Sequence, residues 1–155
     1  MYIPDFPMTA FKINGFDGNI KLSIEQVWGF PESTAYYGGY DAKGVLKIKS
    51  GAYSATSDYH FTTGELSDFL EQLRTCYDSL SGTAVLANHE DENLIKCEFL
   101  KNGHITVSGE YQSAVHKKNR LTFEFDTDQT QILETIDYLE RVYKFFGGST
   151  GKRSE

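Results

Sequence analysis

The stretch "HFTTGELSDFLEQLRTCYDSL", His60 to Leu80, decides how this chain is read. Up to Phe61 the residues alternate, but beyond Thr62 the apolar side chains change spacing. Leu66, Phe69, Leu70, Leu73, Cys76, Tyr77 and Leu80 recur at three and four, whereas Asp68, Glu71, Gln72, Thr75 and Asp78 fall on the other side. A 3.6-residue period with one apolar face predicts an amphipathic helix over about 63–80, stopped by Gly82. Thr62 as N-cap and Glu65 three positions later form a predicted capping box, and Phe61 with Leu66 supplies the hydrophobic staple. A strand is therefore expected to hand over to a helix at Thr62.

Working outward, "FDTDQ" at 125–129 repeats the order of "FTTGE" at 61–65. It predicts a second box from Asp126 and Gln129, heading a helix over about 127–146 with Ile132, Leu133, Ile136, Leu139, Tyr143 and Phe146 as its stripe. Both helices follow alternating segments. Ile20, Leu22 and Ile24, then Leu46 and Ile48, precede the first; Ile95, Cys97 and Phe99, then Ile105 and Val107, then Leu121, Phe123 and Phe125, precede the second. "NGFDG" at 14–18 and Asn102-Gly103 supply hairpin signals. The predicted fold class is α+β: antiparallel sheet of about seven or eight strands in two meander-then-helix halves, with both helices packed on one face. Residues 29–44, "GFPESTAYYGGYDAKG", read as a loop. The expected organisation is a single domain over 1–147 with a flexible tail over 148–155.

Charge and composition bound the function. Apolar residues make up 39% of the 155, enough for a packed core, and the net charge is −7. Residues 60–98 balance at −6 and 124–141 at −5, whereas 99–123 balance at +3. Only a small basic patch near Lys117 is expected, so direct nucleic-acid binding is not, and a basic protein partner is. "MYIPDFPM" lacks the charged and apolar regions of a signal peptide, and no long apolar run suggests a membrane span, so the expected location is the cytoplasm. Two separated cysteines, Cys76 and Cys97, fit neither a disulfide framework nor a zinc site and read as half-buried thiols.

The sequence holds no GxSxG elbow between a strand and a helix, and no HExxH, P-loop or GxGxxG pattern, and no catalytic, metal or cofactor residues are assigned. His60, His104 and His116 read as strand or turn residues. "NHEDEN" at 88–93 gathers His89, Glu90, Asp91 and Glu92 without calcium-loop spacing, and reads either as a charged hairpin loop or as a contact patch for a cationic partner. Tyr36, Tyr37 and Tyr40 beside Gly38 and Gly39 read either as an amphipathic contact surface or as side chains folded onto the sheet.

"GGYDAKGVLKIKSGAYS", "FTTGELSDFLEQLRTCYDSLSGTAVL", "HITVSGEY" and "NRLTFEFDTDQTQILETIDYLERV" together resemble the WapI-type family of small bacterial immunity proteins, from about Gly38 to Gly147. The resemblance implies an inhibitor that binds a cognate toxin domain, in this family an RNA-cleaving one, and blocks its active site or substrate surface. It carries over no catalytic residues. Joined to the charge pattern, it makes Asp68, Glu71 and Asp78, together with Glu90, Asp91, Glu92 and the three tyrosines, the expected contacts for a basic toxin domain. The competing readings are an adaptor module for another protein, and a small ligand-binding protein using the tyrosine loop and "NHEDEN". Oligomeric state is left open.

Overall fold

The computed structural model describes residues 4–88, 93–112 and 117–152, and the chain order is four strands, a helix, four strands, a helix. Strands β1 (Met8–Asn14), β2 (Gly18–Val27), β3 (Asp41–Ser50) and β4 (Tyr53–Thr62) form one antiparallel meander, followed by α1 (Thr63–Ser79). Strands β5 (Gly82–Ala87), β6 (Leu94–Phe99), β7 (His104–Gln112) and β8 (Arg120–Asp128) form the second, followed by α2 (Gln129–Phe146). The alternation that wrote these strands also sets their faces. Ile20 pairs with Ile48 and Leu22 with Leu46, and all four are buried on one side of their sheet.

The helices cross over between the halves. α1 leaves the first sheet but lies chiefly along β5, α2 leaves the second but lies chiefly along β1, and the two helices pack on each other. Phe11 on β1 meets Phe69 on α1 at 5.8 Å between ring centroids, so one apolar cluster runs through both halves. Each helix also covers the open edge of the strand beside it. The Gln72 amide donates to Val85 O at 3.0 Å and accepts from Val85 N at 2.9 Å, and Thr135 donates to Lys12 O at 2.6 Å. The other two edges are met as well. Asn88 and Tyr111 donate to His60 O and Asp58 O of β4, and the Phe16 amide donates to Asp126 O of β8. An edge paired in this way offers no ladder to a foreign strand.

The Thr62 box forms: Thr62 Oγ1 accepts from Glu65 N at 3.1 Å, and Glu65 Oε1 accepts from Thr62 N at 2.7 Å. The second cap differs from the expected Asp126–Gln129 box. β8 keeps pairing with β7 as far as Asp128 opposite His104, and Thr127 donates to Asn14 O, so two further residues stay in the ladder. The N-cap is Asp128, which accepts from Gln131 N at 3.1 Å; Gln129 opens the helix and Asp126 stays on the exposed side of β8 near His104. With the caps aligned, Leu66, Leu70 and Leu73 correspond to Ile132, Ile136 and Leu139, all buried. Thr62→Ala and Asp128→Ala should each lower stability by about 0.5–2 kcal/mol, and Asp126→Ala by less than about 0.5. Urea midpoints of the three variants decide which aspartate is the cap.

One loop boundary also moves. The predicted loop over 29–44 ends at Tyr40, because 41–44 join β3, with Asp41 opposite Thr62 and Ala42 opposite Phe61. Gly44, the last residue of that predicted loop, lies within β3 in close approach to β2: a Cβ would stand 2.0 Å from Ser23 O. At the C-terminal end Ser149 O accepts from Gly39 N and Lys152 N donates to Tyr40 Oη.

Cys76 and Cys97 are both free and buried, deeper than the half-buried state expected of them. Burial, and secondarily the neighbouring Cys76 thiol, push Cys97 up to about 12, and burial raises Cys76. Below pH 9 the thiol is neutral in both folded and unfolded chains, so this stability is fully present. As pH rises from 9 towards 12 the unfolded chain loses the proton that the folded chain keeps, and stability falls by up to about 1.4 kcal/mol per pH unit for Cys97. Denaturation of wild type and Cys97→Ala across pH 8–11 should show a shallower decline in the variant.

Candidate functional site

Beyond Val27 the chain leaves β2 and returns at Asp41, and Trp28 N donates to Asp41 O at 2.9 Å to close the loop at its base. Inside the loop Ser33 N donates to Gly29 O, Ala35 N to Gly39 O and Gly38 N to Ala35 O. The loop is pinned to the body through Tyr40. Its amide donates to Thr63 Oγ1 at 2.8 Å, its hydroxyl donates to Pro31 O at 2.7 Å, and its ring packs with Phe30 and Phe146. Tyr40 is 0% exposed and is thus a core anchor, not the contact residue expected from its neighbours.

The anchored loop displays three other aromatics. Tyr36 is 95% exposed, Tyr37 53% and Trp28 44%, and Tyr36 and Tyr37 meet edge to face at 5.2 Å. Trp28 and Tyr37 stand over a cleft of ≈ 360 Å³ whose other walls include Asp41, His60, Phe61 and Glu65. Two strands, the loop and the first turn of α1 meet there. Trp28, Asp41 and His60 carried no signal in the sequence, because only the pairing of β3 with β4 sets Asp41 opposite Thr62 and brings His60 to the same end.

Asp68, Glu71 and Asp78 are exposed on α1, within an arc of about 80° at 100° per residue, and so form one acidic stripe. Asp68 accepts from Gln72 Nε2 at 2.9 Å, which helps hold the amide that caps β5. His89, Glu90, Asp91 and Glu92 lie outside the described residues. Among the described residues no three His, Cys, Asp or Glu side chains gather as metal ligands, and no helix is long and apolar enough to cross a membrane.

One charged surface differs from the expectation of a small basic patch near Lys117. Lys12, Lys21 and Lys47 are direct cross-strand neighbours on β1, β2 and β3, and Lys49 lies two residues along on the same side. Counting charge by segment hides such a row, because its members come from three strands. Like charges placed opposite one another oppose sheet formation.

The model of the family described as "Immunity protein WapI-like family" matches residues 12–147, from within β1 through the rest of both meanders, both helices, the tyrosine loop and the cleft. Searches of curated proteins and of solved structures found no match.

Proposed function

This chain belongs to the immunity protein WapI-like family, and from that premise we propose that it binds a cognate toxin domain in the cytoplasm and neutralises it. The family match over residues 12–147 is the observation that carries the reading. The toxin domain proposed is a basic one that cleaves RNA, because a protein that handles a phosphate backbone needs a cationic groove. An acidic surface can occupy such a groove and steer the encounter. The α1 stripe of Asp68, Glu71 and Asp78 suits that role, and the acidic Glu90, Asp91 and Glu92 are proposed as further contacts on their charge alone.

Co-expression with a candidate toxin domain, sought among the neighbouring genes, is the test. Growth should be rescued and the two chains should purify together; growth arrest with no complex would sink the proposal. Changing Asp68, Glu71 and Asp78 together to Lys should slow association about tenfold at low salt and flatten its salt dependence. Unchanged kinetics would move the interface off this helix.

A further inference from the structure

We propose that the cleft between Trp28, Tyr37 and Asp41 is a socket for one cationic side chain, an arginine or lysine of the bound protein. This rests on the reading of the chain as a protein-binding inhibitor, and adds which partner group it grips and where. Three observations converge on it.

First, the walls fit the chemistry. Trp28 and Tyr37 line the cleft with aromatic rings, the faces of which attract cations, and Asp41 adds a carboxylate residue to the same lining. Asp41 is exposed and has no salt-bridge partner among the described residues. Among the described residues no lysine or arginine lines the cleft; nearby Lys43 is within 3.7 Å of Asp58. A planar guanidinium can stack on an indole while its N–H fork meets a carboxylate.

Second, an anion is disfavoured although the cleft reaches the N-terminus of α1. Three of the amides that would draw an anion are already spent: Glu65 N donates to Thr62 Oγ1, Thr62 N to Glu65 Oε1, and Thr63 N to Tyr40 O at 2.9 Å. The Glu65 carboxylate itself sits in the first turn, compensates the helix dipole and forms part of the wall. An incoming anion would face two carboxylates.

Third, the display is built before any partner arrives. The loop is hydrogen-bonded at Trp28, Gly39 and Tyr40, and Gly39 has φ +71, where a Cβ would stand 2.2 Å from Gly64 N. Exposed aromatics held this rigidly lose little conformational freedom on binding, the property that makes Trp and Tyr strong interface anchors.

Trp28 is the only tryptophan in the chain, so its emission reports on the cleft alone. N-acetyl-Gly-Arg-Gly amide should shift that emission saturably below about 10 mM, the affinity of one cation–π contact plus one ion pair. The neutral citrulline peptide and the Asp41→Asn variant should each be about tenfold weaker, a difference of about 1.4 kcal/mol. No saturation in that range, equal binding of arginine and citrulline, or an Asp41→Asn variant that binds like wild type would each overturn the socket. This titration needs no toxin, so it can fail while the immunity reading stands, and succeed if that reading falls. Given a toxin complex, Trp28→Ala and Asp41→Asn should each weaken it at least tenfold, with the Thr62 cap and the fold unchanged by circular dichroism; an undiminished complex would place the partner elsewhere.

Discussion

Phe69→Ala is expected to lower the free energy of unfolding by about 3–5 kcal/mol, the largest single effect of any substitution considered for this chain. Phe69 is fully buried on α1, and its partner Phe11 is fully buried on β1 of the opposite end of the first meander. Because α1 lies along β5 and α2 along β1, the pair sits where the two halves of the chain close on each other. Truncation removes the ring's transfer energy and leaves a cavity between elements that are pinned by edge hydrogen bonds, Gln72 to Val85 and Thr135 to Lys12, and so cannot collapse freely. A domain of this size has about 5–15 kcal/mol in total, so the variant should approach the edge of stability. Urea denaturation followed by far-ultraviolet circular dichroism gives the number, and a loss below about 1 kcal/mol would mean that the junction is not packed as described.

Gly39→Ala should cost about 2–4 kcal/mol and also change the emission of Trp28. The residue has φ +71, which strains any side chain, and its Cβ would lie 2.2 Å from Gly64 N and 2.5 Å from Thr63 Oγ1. The second contact matters most. Thr63 Oγ1 accepts the Tyr40 amide, so relieving the clash pulls out the anchor of the whole loop. Gly51 is the control: its φ is +58, nothing lies within 4 Å of its Cβ position, and Ala there should cost only about 1 kcal/mol. Equal losses at the two glycines would show that the close approach to α1 contributes nothing.

The handover at Thr62 was legible because every signal for it is local: the capping pair and the period change lie within five residues. Asp126 was misread for the opposite reason. The same local pattern stands there, but a long-range ladder with β7 and the hydroxyl of Thr127 on Asn14 hold the strand two residues longer, and pairing with a distant strand leaves no mark on the nearest neighbours. The end of the 29–44 loop was set too late for the same reason, since residues 41–44 are held in β3 by pairing with β2 and β4. The tyrosine loop was recognisable as a display surface, yet nothing in "YYGGY" separates the exposed Tyr36 and Tyr37 from Tyr40; the difference is that Tyr40 reaches Pro31, Phe30 and the 148–152 segment. Trp28, Asp41 and His60 come together only in the folded sheet. So do Lys12, Lys21 and Lys47 on the other surface.

The account stands most directly on whether this chain silences a toxin domain by holding it. Purified toxin domain, assayed on RNA and titrated with this chain, should lose its activity linearly and reach zero near one molecule of inhibitor per toxin. The Asp68→Lys, Glu71→Lys, Asp78→Lys chain should reach the same end point more slowly. Full cleavage activity in the presence of excess chain would contradict the account.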